Sequence, residues 1–255
     1  MAQSIDLILP SSDANPVRVV TVVVPTYNEH DNIQRLVEGI LGLGPNFEII
    51  IVDDNSPDGT GQIADLLALQ YGERIQVIHR AAKAGIGRAY LAGFALALER
   101  PNDLIAQMDA DLSHDPADLA NLVAAAASAD LVLGSRYVTG GETRGWPGYR
   151  KVISRFGGIY ARKVLGAPIS DLTGGFKVYR RAVLANIGLA DVRSDGYVFQ
   201  IETTYRAIKR GHTVVEVPIV FADRIAGKSK LSRRIVFEAM IVVWRLRFDR
   251  SIVIK

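Results

Sequence analysis

Asp109 and Asp111, spaced i and i+2, close the apolar-rich run DLIAQMDAD at 103–111. A strand sends side chains i and i+2 to one face, so two carboxylates at its end can share a hard divalent cation. The cation's remaining positions then stay open for phosphate oxygens. Such a cation offsets charge on a departing nucleoside diphosphate. Alone, the pair would read equally well as a solvated turn, because aspartate is common at turns and caps. It has company, however. Glu29 follows the β-branched run VVTVVVP at 19–25, and Asp53 and Asp54 end the run FEIIIVDD at 47–54. Five carboxylates on one sheet edge would repel each other without a cation or a ligand base among them.

Those residues need a frame. The runs at 19–25, 47–54, 74–79, 103–111 and 129–136 read as buried strands. Helical patterns at 31–42, 60–71, 87–99 and 116–128 lie between them. Strand and helix alternating at this spacing imply a mainly parallel twisted sheet, wound by right-handed crossovers with helices on both faces. In such sheets ligands bind outside the carboxyl ends of the strands, where the acidic residues fall. The rhythm fades later: 148–165, 196–210 and 231–248 read as helices, and TVVEVPIVF at 213–221 as a strand that Pro218 puts at an edge or an end. Residues 1–17 read as a loose leader, 18–230 as the main domain and 231–255 as a C-terminal amphipathic helix.

Composition narrows the chemistry. With 49% hydrophobic and 22% charged residues, the 255-residue chain is globular rather than disordered. It has no cysteine, which removes disulfides, thiolate metal sites and a cysteine nucleophile. His30, His79, His114 and His212 show neither metal nor triad spacing. The fingerprint G-x-G-x-x-G is missing after the first strand, against a dinucleotide enzyme; Gly85-Ile86-Gly87 after the third has Tyr90 in place of the third glycine. The start of the chain lacks a basic, apolar-cored signal pattern. No run reaches about 18 apolar residues, as a membrane span requires. The net charge of +3 hides a division: residues 1–130 carry 7 basic and 18 acidic side chains, and residues 131–255 carry 23 basic and 9 acidic. The halves are thus −11 and +14, which points to an anionic ligand or surface.

Eight segments extend the pattern: VVVPTYNEHDNI, IIIVDDNSPDGT, KAGIGRAYLAGF, MDADLSHDP, GSRY, ISDLTGGFKVYRR, GYVFQIE and VPIVFADRIAGKSKL. In this order, from about Val19 to about Leu231, they resemble the dolichol- or polyprenol-phosphate mannose synthases, inverting glycosyltransferases of GT-A fold. The resemblance implies transfer of mannose from GDP-mannose to a polyprenyl or dolichyl phosphate, with Mg²⁺ or Mn²⁺ as cofactor. It places Pro25, Tyr27 and Glu29 around the guanosine and ribose, with Val52 and Asp54 at the base. Asp109, Ala110 and Asp111 would meet the ribose, diphosphate and metal, with Asp109 and Asp111 as the metal ligands. Arg136, Arg224 and Lys230 would bind phosphates; Asp111, Arg136 and Arg224 are the residues expected to carry catalysis. Ser113 stands where some relatives have a metal-reaching Gln, and as a shorter neutral donor it is not counted as a ligand. The family also implies a peripheral position on the cytoplasmic face of a membrane, bound directly or through a membrane-anchoring subunit.

Reaction logic agrees. A lipid phosphate, whose second pKa is about 6, is already an anion near neutral pH and needs no base. The difficulty is bringing it up to a second anion, which calls for a cation on the donor and fixed positive side chains around the acceptor. The segment Arg224–Lys230 reads as a basic loop closing on phosphates, or as ordinary surface. Lys177 in the paired-glycine segment could meet a phosphate or belong to a structural turn, and Glu202 could face the site or a polar network. On a helix, Lys151, Arg155 and Arg162 oppose Val152, Ile153, Phe156, Ile159 and Tyr160, a pattern for lying in an anionic bilayer surface or for packing on the core. The 231–248 segment carries the same two readings. Two rivals remain: the same fold using a UDP-sugar, and a phosphate-binding protein without turnover, which the carboxylate pair argues against. With its charges on phosphate loops and apolar-backed helices, the basic half does not read as a nucleic-acid surface.

Overall fold

The computed structural model describes residues 18–223, 233–249 and 252, with backbone alone for 233–239. The leader 1–17 and the loop bearing Arg224 and Lys230 lie outside the described residues.

The β-branched runs become β1 (Val20–Thr26), β2 (Phe47–Asp53), β3 (Ile75–His79), β4 (Leu104–Gln107) and β5 (Leu131–Ser135). Between them lie α1 (Ile33–Leu41), α2 (Thr60–Tyr71), α3 (Ile86–Glu99) and α4 (Pro116–Ala125). The second half adds β6 (Glu142–Arg144), α5 (Gly148–Leu165), β7 (Lys177–Arg180) and α6 (Arg181–Asn186). It ends with α7 (Gly196–Lys209), β8 (Val214–Pro218), β9 (Val220–Ala222) and α8 (Arg233–Phe248). Seven strands form one sheet in the order β3-β2-β1-β4-β7-β5-β8, and β6 pairs with β9 apart from it. Every pairing in the large sheet is parallel except the two made by β7, which runs antiparallel between β4 and β5.

Two hydrophobic layers clamp the sheet because its side chains alternate. From β1, Val20, Val22 and Val24 enter one layer with α1, while Val23 enters the other with Tyr90 and Phe94 of α3. In β2, Ile49 and Ile51 divide from Ile50 and Val52 in the same way. Helix α1 buries Ile33, Leu36, Val37, Ile40 and Leu41, the i, i+3, i+4, i+7 stripe of a helix laid on a sheet. Helix α3 lies so close to β1 that a Cβ on Gly93 would come 2.3 Å from Val23 Cγ1. Helix α4 starts where Asp115 accepts the Ala117 N–H, with Pro116 in the first turn, a favourable cap.

Three readings of the sequence need correction. The fourth strand stops at Gln107, not at Asp111, because beyond that residue β4 has no further register with β1 or β7. Asp109 and Asp111 therefore sit on a loop, not on one face of a strand. The segment 213–221 is two strands: β8 on the edge of the large sheet, ending at Pro218, and β9 paired with β6. Lastly, KVYR at 177–180 is an interior strand; four residues after a paired glycine are too short a run to announce one.

Candidate active site

The loops after β1, β2 and β4 open onto one edge of the sheet, and each bends through a non-glycine residue of positive φ: Asn28 (61°), Asn55 (57°) and Leu112 (56°). Asparagine tolerates that region, but for a bulky leucine it is a true outlier, and such outliers gather at functional sites. The bends turn the chain back across the strand ends and face a cavity of about 720 Å³. Pro25, Tyr27 and Glu29 line it from β1, Asp54 from β2, and Asp109, Ala110 and Asp111 from β4.

Asp109 accepts a hydrogen bond on Oδ1 from the Tyr90 hydroxyl at 2.7 Å. Tyr90 is fully buried, and burial, followed by the charge of Asp109, raises its pKa well above the ordinary value. Asp111 accepts on Oδ1 from the backbone N–H and the hydroxyl of Ser113, at 3.1 and 2.5 Å. Across from them stands Gly175, where a Cβ would fall 3.3 Å from Asp109 Oδ2; the second glycine of the pair keeps that approach open. Among the described residues no group of three or more His, Asp or Glu side chains could hold a metal ion by itself. The donor set nonetheless fits a hard divalent cation that takes one or two carboxylates from the protein and the rest from substrate phosphates and water.

Around Tyr27 and Glu29 the polar groups are fixed. Lys83 Nζ lies 3.3 Å from the centroid of the Tyr27 ring, a cation–π contact. Glu29 Oε2 accepts from Asn32 at 2.8 Å, and its backbone N–H donates to the Thr60 hydroxyl. Asp54 pairs with Arg80. Asp53 faces away from the cavity and binds the turn after β2, accepting from the hydroxyls of Thr26 and Ser56 and from the Ser56 N–H. Asp58 ties down the turn before α2, accepting from the N–H and hydroxyl of Thr60; burial pushes its pKa up, but hydrogen bonds from Thr60 and His30 leave it below the ordinary value.

The structure does not bring every expected residue to the cavity. Val52 is fully buried in the core beside Tyr90 and Phe94, so its side chain meets α3. Arg136 is buried and grips Asp171 with Nε and Nη2, both at 2.7 Å, and reaches the Thr173 hydroxyl at 2.9 Å. Desolvation works against both charges, yet their attraction prevails: the pKa of Asp171 falls and that of Arg136 rises. Arg136 thus fixes the turn carrying Thr173, which lines the cavity. Lys177 is sealed in the core, donating to the Gln200 carbonyl and the Thr203 hydroxyl, with burial holding its pKa well below the usual range. It is a structural residue. Glu202 belongs to a buried pair with Arg206 at 2.8 Å and accepts the Ser194 N–H.

Sequence reading missed one further group of lining residues. Arg193, Asp195 and Tyr197 line the cavity with Lys83 and Gly85. Asp195 accepts the Gly87 N–H at 2.6 Å, and a Cβ on Gly85 would come 1.9 Å from its Oδ2. The Gly85-Ile86-Gly87 turn, with φ of 100° at Gly85, therefore makes room for Asp195. The two segments lie 108 residues apart, and no local spacing could have joined them.

Val242 of α8 also lines the cavity. On the outer side of that helix Ile241, Trp244 and Phe248 are exposed, and α5 exposes Tyr149, Val152, Ile153, Phe156 and Ile159. Tyr160 of α5 donates to the Met240 carbonyl at 3.2 Å, so the two helices touch while these exposed residues face outward. Of the side chains read on 231–248, those of 233–239 lie outside the described residues.

A largely parallel sheet covered by helices on both faces, with an acidic cavity at its strand ends, is the GT-A architecture of glycosyltransferases. The chain belongs to glycosyl transferase family 2, whose model matches residues 21–188. It is 48% identical over 241 residues to the polyprenol monophosphomannose synthase of Mycolicibacterium smegmatis, spanning 92% of this chain and 91% of that protein. It is 44% identical over 228 residues to the undecaprenyl-phosphate mannosyltransferase of Micrococcus luteus, spanning 89% of this chain and 93% of that one. Among solved structures, the glucosyl-3-phosphoglycerate synthase of Mycobacterium tuberculosis in complex with Mn²⁺, UDP-glucose and phosphoglyceric acid matches with a TM-score of 0.65. That match covers 92% of this chain and 81% of that one at 20% identity, and shows the fold.

Proposed function

We propose that this chain transfers mannose from GDP-mannose to a polyprenyl phosphate, with inversion, to make a lipid-linked mannose donor. The observation that carries the reading is the cavity lined together by Pro25, Tyr27, Glu29, Asp54 and Asp109–Asp111, in a chain 48% identical to a polyprenol monophosphomannose synthase. Tyr27, Glu29 and Asp54 hold the nucleoside; Asp109 and Asp111 hold Mg²⁺ or Mn²⁺. When bound, that cation neutralises charge on the diphosphate as it departs.

The protein's remaining work is placement. The acceptor phosphate attacks the anomeric carbon in line with the bond to the diphosphate, and no side chain need take a proton from it. Arg136 orders the 171–173 turn at the cavity, and Arg224 and Lys230 supply positive charge to the phosphates. The unit 18–230 acts as the transferase domain, with α8 attached as an amphipathic helix.

No described helix is long and apolar enough to cross a membrane. The exposed apolar residues of α5 and α8 share their helices with the exposed cations Lys151, Arg155, Arg162, Arg245 and Arg247, as suits helices lying in the anionic cytoplasmic face of a bilayer. Such docking would bring the cavity, through Val242, to the plane of the lipid phosphates. Turnover of GDP-mannose with a short polyprenyl phosphate, with and without divalent cation, tests the proposal. Mannolipid formation that stops with EDTA is expected, and preference for UDP-glucose over GDP-mannose would overturn the choice of donor.

A further inference from the structure

Tyr90 occupies the position at which a dinucleotide fingerprint would carry its third glycine. Its ring is fully buried and stacked between Phe94 of its own helix and Phe199 of α7, 5.8 Å from each. The place of its hydroxyl is thus set by core packing between two helices. That hydroxyl donates to Asp109 Oδ1 at 2.7 Å, which leaves Oδ2 as the oxygen nearer Gly175, 3.3 Å against 3.6 Å for Oδ1 from where a Cβ would stand. Since Asp109 stands on a loop beyond the end of β4, the sheet's hydrogen bonds do not orient its side chain.

We propose that Tyr90 is a positioning residue for the donor site, holding Asp109 so that Oδ2 is presented to the cation and diphosphate. The proposal rests on Asp109 and Asp111 being cation ligands, as put forward above. A ligand oriented in advance binds its metal more tightly, and partners of this kind are typically worth about 10–100-fold in metal affinity. The neighbouring carboxylate shows the same device in a shorter form, with Ser113 donating to Asp111 from the next turn.

Tyr90→Phe removes one hydroxyl and keeps the stacked ring. Mn²⁺ uptake in the presence of GDP, followed by the paramagnetic resonance of free Mn²⁺, is expected to weaken about tenfold or more. Metal-free GDP binding should be unchanged and the thermal midpoint should stay within about 4 °C. Saturating Mn²⁺ should restore most of kcat. Wild-type Mn²⁺ affinity in Tyr90→Phe would overturn the proposal, as would an equal loss of metal-free GDP binding, since a general structural defect lowers both. If the wild-type protein and Asp109→Asn alike take up no Mn²⁺ with GDP, the cation reading itself falls, and this proposal with it.

Discussion

On the two sides of β7 the molecule holds its carboxylates by different means. Toward β1, β2 and β4 the donors are mostly neutral: Tyr90 to Asp109, Ser113 to Asp111, Thr26 and Ser56 to Asp53, Thr60 to Asp58. Asp54, paired with Arg80, and Glu48, paired with Arg100 on the far end of β2 from the cavity, are exceptions. Beyond β7 cations hold more of them: Arg136 with Asp171, Arg206 with Glu202, Arg150 with Asp223, although Glu216 of β8 accepts from the Ser135 hydroxyl and the N–H groups of Ser170 and Asp171. A hydroxyl or N–H steadies a carboxylate without cancelling its charge, whereas an ion pair cancels it. The first region therefore keeps a negative field at the cavity, fit for a cation. The second spends its central charges on structure and leaves the rest of its +14 to segments such as α5 and α8, which carry Lys151, Arg155, Arg162, Lys163, Arg245 and Arg247.

The largest effect that could break this contrast is on turnover. Asp111→Asn should cost at least about 10²-fold in transfer, because it weakens a cation worth several kcal/mol to the departing charge. Its stability should move by only about 1 kcal/mol, since the amide oxygen can still accept from Ser113. Arg136→Met should do the reverse where folding is concerned. Stranding Asp171 in the core costs about 3–5 kcal/mol, and replacing both partners in Arg136→Met/Asp171→Leu should recover much of it. Urea denaturation of the three variants decides. If Asp111→Asn proves the unstable one and Arg136→Met folds like wild type, the division of labour across β7 is wrong.

A smaller effect sharpens the outer half of the comparison. Phe156 and Trp244 are 64% and 48% exposed, a poor arrangement in water for side chains whose burial is worth about 1.5–3 kcal/mol. Phe156→Glu/Trp244→Glu should weaken co-sedimentation with anionic vesicles about tenfold or more. Turnover of a short, detergent-dispersed acceptor should be less affected. Unchanged vesicle binding would sink the proposal that α5 and α8 lie on the bilayer.

Where interactions are local, sequence and structure agree. The β-branched runs predicted β1 and β2 almost to the residue, and their acidic endings marked the cavity edge, because a strand and its following turn are read from neighbouring residues. The i, i+3, i+4 spacing found α1, α5 and α7 for the same reason. What stayed hidden depends on distant partners. Strand β7 exists because β4 and β5 flank four short residues. The resemblance puts Arg136 on a phosphate, and its partner Asp171, 35 positions away, is one that no local spacing reveals. Lys177 reads locally as a phosphate contact or a turn residue because its hosts, Gln200 and Thr203, belong to α7. The resemblance puts Val52 at the base, and the alternation of β2 sends its side chain into the layer beneath α3.

His114 lies at the seam of the two regions, and it gives the smallest effect. Its ring stacks on Phe176 at 4.8 Å and meets the edge of Phe221 at 5.1 Å, and its Nδ1 has no hydrogen-bond partner among the described residues. Burial depresses its pKa, with Arg136 adding to the depression while Asp109, Asp111 and Asp171 pull the other way. The folded pKa thus lies below the ordinary value of about 6.5. As pH drops through that value the unfolded chain binds a proton that the folded one refuses. Stability must then fall, by at most about 1.4 kcal/mol per pH unit, until the folded value is reached. Above about pH 7 the group should contribute no slope. His114→Phe keeps a flat ring in the same layer and should flatten the urea midpoint between pH 7 and 5. That window lies above the range in which Asp58 and Asp171 take up protons. A slope identical to wild type would move the acid sensitivity away from the seam, to a group on one side of β7 alone.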